Sequence, residues 1–196
     1  MSLTVHTDPK VDFRAFHVRS RSKTDMRLFV ATHALPWLQH QHRRGSSGAV
    51  MVDIDDTLID GNENVVHGFQ YMKALYNEVQ LLFPLYVVTA RPDEDRDKVM
   101  KMLHRRGFCI PIDRLLMLPT EHYNKDLAHV ERFKWRSYLE IAQAHDGVVA
   151  RFGDKLWDVA HHASLHTYLS HVKDRDCYMF VDPNMKGTVS YKLPGA

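Results

Sequence analysis

Apolar and polar positions fall along this chain in blocks that read as strands separated by helices. Residues 1–23 show no sustained period. The first clear signal is Asp25 to Gln41, where Met26, Leu28, Phe29, Val30, Ala34, Leu35 and Trp37 predict a helix kinked or interrupted near Pro36. Gly45-Ser46-Ser47-Gly48 predicts a flexible joint. Ala49 to Val52 carries no polar side chain and predicts a strand buried on both faces. After polar turn sequence at Asp60 to Asn64, Phe69, Met72, Leu75, Tyr76 and Val79 recur at helical spacing. Leu85 to Thr89 predicts a second strand. Pro92 with Asp93, Glu94 and Asp95 predicts a helix start that Gly107 stops, and Leu115 to Leu118 a third strand. A helix over Asn124 to His145, a strand at Val148 to Phe152, a helix over Leu156 to Val172 and a fifth strand at Tyr178 to Val181 complete the series. This alternation predicts an α/β fold of three layers, with a mainly parallel sheet of about five strands covered on both faces and no large cap domain. Residues 1–48 read as an N-terminal extension with one helix, and residues 49–196 as the core.

The richest stretch is Val50-Met51-Val52-Asp53-Ile54-Asp55-Asp56-Thr57-Leu58. In an extended chain alternate side chains share a face, so Asp53 and Asp55 emerge together while Ile54 points away. The carboxyl end of a buried strand is where open α/β sheets place ligands. Paired carboxylates there repel unless a cation or a shared proton offsets them, and magnesium is the usual ion where phosphate is also bound. Three other sites use similar acids. A calcium loop needs glycine at its sixth place, which counted from Asp53 is Leu58. A sugar-nucleotide transferase needs a nucleotide-binding half upstream, and only 52 residues precede Asp53. A receiver-type signalling module needs an acceptor Asp on a middle strand, which this chain lacks. Asp56 reads as a turn residue.

Composition bounds the class without choosing the chemistry. The 196 residues are 44% hydrophobic and 26% charged, as expected of one globular domain with an appendage. A formal charge of +2 neither demands nor excludes a nucleic-acid partner. Fourteen His residues make the chain far more positive in mild acid. The two cysteines, Cys109 and Cys177, read as reduced thiols. The longest apolar stretch, Val79 to Ala90, is interrupted by Gln80 and Pro84, so no membrane span is expected. The amino terminus does not resemble a secretory signal, which makes an intracellular, cytoplasmic location the default.

Four motifs, VMVDIDDTLID, YVVTARP, FKWR and ARFGDKLWD, follow one another at strand ends and on a helix. In this order they resemble the haloacid dehalogenase-like superfamily of phosphohydrolases over about Ala49 to Val181. The resemblance implies a Rossmann-like core and magnesium-dependent hydrolysis of phosphomonoesters. Asp53 would attack phosphorus and form an aspartyl phosphate, and Asp55 would serve as general acid and then base. Thr89 would hydrogen-bond the phosphoryl oxygens, with Thr89, Ala90, Arg91 and Lys134 as the substrate-binding set. Magnesium would be held by Asp53, the backbone carbonyl of Asp55, and Asp154, with Asp158 ordering its waters or replacing a ligand.

The lysine of the set is either Lys125 or Lys134. At about 100° per residue, Leu127, Val130, Tyr138 and Ile141 form one apolar stripe that contains Lys134 and faces away from Lys125. Lys134 is therefore expected to point inward to the carboxylates, the alternative being an ammonium that snorkels to the rim. Arg91 reads equally as a substrate contact or as a surface partner of Asp93 or Asp95. Lys155 reads as a solvated first-turn residue, and Trp135 as core or contact surface. His162 and His166 have a zinc-compatible spacing with no third ligand in view. The gaps flanking Thr89 are consumed by predicted elements, so no separate lid is expected and a large phosphorylated substrate is admissible. The Thr-Ala-Arg run is most similar to the uncapped acid-phosphatase and nucleotidase branch, although Trp135 and Arg136 follow Lys134 where that branch carries Ser. Two alternatives stay open: a nucleotidase or nucleic-acid end phosphatase, and a catalytically silent interaction protein on the same scaffold. Residues 1–48 could dock to the core, form a partial lid or bind a partner, and the sequence leaves the oligomeric state open.

Overall fold

The apolar run Ala49–Val52 is buried along its whole length because it has a strand on each side and helices on both faces. The structure, a computed structural model, describes residues 2–8, 13–20, 22–59, 68–123, 126–159, 177–181 and 188–195. In chain order the elements are β1 (Ser2–Asp8), β2 (Phe13–Arg19), α1 (Lys23–Arg43), β3 (Ala49–Val52), α2 (Phe69–Leu82), β4 (Leu85–Pro92), α3 (Arg96–Arg105), β5 (Leu115–Leu118), α4 (Leu127–Ala144), β6 (Val148–Gly153), α5 (Leu156–Val159), β7 (Cys177–Val181) and β8 (Val189–Lys192).

All eight strands join one sheet in the order β1-β2-β7-β8-β6-β3-β4-β5. The run from β8 to β5 is parallel, while β1, β2 and β7 join it antiparallel. The chain leaves β3 to build β4 on one side and returns to build β6 on the other, so the strand order reverses at β3. Ligands of doubly wound sheets bind at such a reversal, outside the carboxyl ends of the strands. Asp53 follows the last residue of β3, and Asp154 the last residue of β6.

Alternation along the strands divides the core. Val50 and Val52 pack with Leu75, Val79 and Val87 beneath α1, α2 and α3, whereas Ala49 and Met51 pack with Val88, Tyr138 and Ile141 beneath α4. Asp53 has the parity of Met51, so it belongs to the α4 side. On α1, Met26, Val30, Ala34 and Leu38 recur every fourth residue and are all buried. Their burial carries the helix through Pro36 without a break, and the Ser22 hydroxyl caps its start by accepting from the Asp25 amide at 3.2 Å. Where α1 meets α2, Gly68 is left-handed at φ 97°, and a Cβ there would lie 2.9 Å from Thr24 Cα.

Several expectations need correction. The sheet is mainly parallel, as expected, but it has eight strands rather than about five, and β1, β2 and β7 make it mixed. The segment read as aperiodic contains a hairpin, β1 and β2, whose second strand pairs with β7. β8 was not expected, since Ser190 and Lys192 are polar, yet all four of its residues are buried. α3 starts at Arg96 after a 3-10 turn at Asp93–Asp95, because β4 runs on to Pro92. Leu127, placed in the apolar stripe of α4, is exposed at the helix start. The turn at Asp60 to Asn64, Lys125, the helix beyond Val159, and His162 and His166 lie outside the described residues. Cys109 and Cys177 are both free thiols. Among the described residues no helix is long and apolar enough to cross a membrane.

Leu38 of α1 is fully buried in the same cluster as Val50 and Val87 of the central strands. Leu38→Ala should therefore cost about 2–5 kcal/mol in urea unfolding, moving the single transition of the whole sheet. An unchanged main transition would mean that α1 unfolds apart from it.

Candidate active site

The chain turns sharply where β3 ends. The Ile54 carbonyl accepts from the amides of Thr57, Leu58 and Ile59, and Asp56 takes a left-handed conformation at φ 52°. Asp53 and Asp55 therefore do not continue one extended strand. Asp53 is buried and faces α4, while the Asp55 side chain is 38% exposed and faces the end of β4. The two stay close enough for the charge of Asp55 to act on Asp53.

Lys134 is the ammonium at the centre. It is 1% exposed, which excludes the snorkelling alternative. Its Nζ donates to Asp53 Oδ1 and to the Val88 carbonyl, each at 2.5 Å, and lies 2.8 Å from Asp158 Oδ1. Burial alone would lower its pKa, but the carboxylates of Asp158 and Asp53 outweigh that and hold it charged. Burial pushes Asp53 well above the usual carboxylate range against the pull of Lys134, and the charges of Asp158 and Asp55 add to the rise.

Asp154 completes the group from the end of β6. Asp53, Asp154 and Asp158 each offer a carboxylate oxygen, and these oxygens lie within 4.8 Å of one another. Burial, then the charge of Asp158, raises Asp154 to about 6, while the Lys155 ammonium, 3.3 Å from Asp154 Oδ2, pulls the other way. Asp154 Oδ2 is buried and has only the Lys155 ammonium, at the length of a loose ion pair, facing it. Three crowded carboxylate oxygens fit a hard divalent cation. Lys155, expected to be solvated, instead lends its ammonium to Asp154 and its amide to Asp158 Oδ2 at 3.1 Å. The close approach of Asp158 requires Gly153, since a Cβ there would fall 2.1 Å from Asp158 Cβ.

The other side of the site is built by β4. Thr89 is fully buried, and its hydroxyl accepts from the Arg91 amide at 3.2 Å. The β4–β5 register shifts between Thr89 and Pro92, so the ladder is interrupted at Ala90 and Arg91. Such irregularities re-aim side chains beside active sites. Arg91 reaches Asp55 with two hydrogen bonds, Nε to Oδ2 at 3.0 Å and Nη2 to Oδ1 at 2.6 Å. The predicted pairing with Asp93 or Asp95 does not form, because Asp93 accepts from the amide and hydroxyl of Thr120 and Asp95 lies beside Lys98. Trp135 packs on the Tyr138 ring at 5.0 Å between centroids, within the α4 side of the core.

One supporting residue was missed. Arg151 is fully buried on β6, donates from Nε and Nη2 to the Asp158 carbonyl at 3.0 and 2.7 Å, and lies over the Tyr138 ring. Its signal was available, an arginine inside the apolar run Val148 to Phe152.

By sequence the chain matches no family model and no curated relative. By structure it is similar to the class C acid phosphatase of Bacillus anthracis, with a TM-score of 0.59 and 14% identity over 91% of this chain and 80% of that one. A structure of that phosphatase with tungstate bound matches equally well, with a TM-score of 0.59 and 14% identity over 91% of this chain and 81% of that one. The likeness is one of fold. It agrees with the α/β architecture that the four motifs implied.

Two outcomes follow from the buried charges. Lys134→Met would leave Asp53 and Asp158 without their common ammonium, so urea unfolding at about pH 7 without metal should show a loss of about 3–5 kcal/mol. An unchanged midpoint would dissociate Lys134 from the carboxylates. Asp154, and Asp53 in the same direction, bind a proton more tightly folded than unfolded. The stability they contribute is present below the ordinary carboxylate range and is lost, for Asp154, as pH rises through about 6. A cation competes with that proton, so magnesium should raise the melting temperature more at about pH 7.5 than at about pH 5. Equal rises would show that the ion does not meet these carboxylates.

Proposed function

We propose that the chain is a magnesium-dependent phosphomonoester hydrolase acting through Asp53. One observation carries the reading: a buried carboxylate at the reversal of the sheet is held by Lys134 and crowded by Asp154 and Asp158. A strand-end acid with those neighbours has the parts of a phosphoryl-transfer site, and the shared fold with an acid phosphatase supports the same class.

In this reading Asp53 attacks phosphorus and the ester P–O bond breaks, leaving the phosphoryl group on the Asp53 carboxylate. Asp55, on the exposed side, gives a proton to the departing oxygen. It then takes a proton from the water that attacks phosphorus, which frees phosphate and restores Asp53. Lys134 would fix the attacking carboxylate, and the Thr89 hydroxyl, at the β4 side of the site, would hydrogen-bond a phosphoryl oxygen. Magnesium bound by Asp53, Asp154, the Asp55 carbonyl and Asp158, directly or through water, would supply positive charge against the carboxylates and the phosphoryl oxygens.

The leaving group enters from the side of Asp55 and Arg91, whose side chains are 38% and 23% exposed, against 8% for Asp53. That opening suits a phosphorylated group larger than the phosphate itself. Arg91 orients Asp55 through its two hydrogen bonds and keeps a positive charge on that side of the site.

Phosphate release from nucleotides, sugar phosphates, phosphopeptides and phosphate-ended oligonucleotides, with and without magnesium, tests the reading and identifies the substrate class. Asp53→Asn should reduce the rate by at least about a thousandfold and Asp55→Asn by about a hundredfold or more. Tungstate, a tetrahedral oxyanion shaped like phosphate, should inhibit the wild type. No release from any ester, or full activity in Asp53→Asn, would overturn the proposal.

A further inference from the structure

Arg27 lies on α1, outside the four motifs, and its side chain is almost wholly buried, at 1% exposure. Its Nη2 donates to the Asp56 carbonyl at 3.1 Å and to the Pro194 carbonyl at 3.0 Å, and its guanidinium lies over the Phe69 ring, 4.1 Å from the centroid. The chain is thus gripped on both sides of residues 60–67, at Asp56 before them and Phe69 after. A buried guanidinium is costly, so a helix needing only packing would present an apolar side chain here.

The peptide it holds follows directly on Asp55. Asp56 sits at φ 52°, a left-handed conformation uncommon outside glycine, which Asp adopts more readily than most, and here its carbonyl is held by Arg27. Asp55 forms an isolated bridge to Ile59, and the Ile54 carbonyl gathers three amides inside the same turn. Two arginines therefore bracket Asp55. Arg91 fixes its carboxylate from β4, and Arg27 fixes the next carbonyl from α1.

We infer that Arg27 is a positioning residue for Asp55, so that α1 completes the active site by holding the proton-donating turn in its left-handed form. The inference rests on the phosphatase reading. It concerns one step: the transfer of a proton from the Asp55 carboxyl to the ester oxygen as the P–O bond breaks. That step matters most for a leaving group that departs poorly as an anion, and least for one that needs no proton.

The test compares p-nitrophenyl phosphate, whose leaving group needs little help, with glycerol phosphate, an alkyl ester. In Arg27→Met, kcat on glycerol phosphate should fall at least about tenfold further than kcat on p-nitrophenyl phosphate. Arg27→Lys, which keeps a donor, should recover part of that difference. The magnesium-induced rise in melting temperature should persist, reduced at most by the share of the Asp55 carbonyl, because the carboxylates of Asp53, Asp154 and Asp158 are held from other elements. In an Asp55→Asn background, Arg27→Met should bring no further loss on glycerol phosphate. Equal losses on the two esters, or no loss, would overturn the inference. So would failure of both Arg27 variants to fold, which would assign Arg27 to the fold alone. A wild type that releases phosphate from neither of these esters nor any ester of the panel above would overturn the hydrolase reading itself, and this inference with it; where only another alkyl ester of that panel is cleaved, it takes the place of glycerol phosphate.

Discussion

The contact between Lys134 and the carboxylates of Asp53 and Asp158 is the constraint on which the site depends. Three acids whose oxygens lie within 4.8 Å would force one another apart or take up protons in a dry environment. A single ammonium, reaching in from the middle of a long helix and almost sealed from water, lets Asp53 and Asp158 stay together. Its depth sets the position of α4 over the sheet. The close approach of Asp158 to Gly153 then fixes how α5 leaves β6.

Asp53 and Asp55 are chemically the same group, and their surroundings separate them. Asp53 is desolvated and tied to a buried cation, a setting for an attacking or ligating oxygen. Asp55 is partly in water and gripped by the guanidinium of Arg91, a setting that suits moving protons. Two carboxylates acquire two jobs from burial and partners alone. The division runs along the sheet: the clustered acids stand at the ends of β3 and β6, and the Asp55–Arg91 pair stands where β4 loses its register with β5.

Much of this was legible in the sequence, for reasons that particular residues explain. The strand at Ala49–Val52 and the inward aim of Lys134 were readable because a uniformly apolar run and a helical stripe leave periodic traces. The hairpin at the start was not, because two edge-side strands with few apolar residues lack a strong alternation, and their place is decided by pairing with β7. β8 hid because Ser190 and Lys192 are polar although the fold buries them. Arg91 was assigned two candidate partners on its own helix start and took neither. A register shift turned it toward Asp55, and no local pattern records such a shift. Arg27 left no trace at all, since an arginine on an amphipathic helix ordinarily faces water.

The pairing of β2 with β7 and the reach of Arg27 to Pro194 tie opposite ends of the chain. Arg27 and Pro194 are 167 residues apart. Helices and the inner parallel strands can associate through shorter loops, and Arg27 lies only 29 residues from Asp56, so the hold on the turn after β3 can form early. The contact with Pro194 and the pairing of β2 with β7 wait for the later strands. The outer part of the sheet thus closes after the part that carries Asp53.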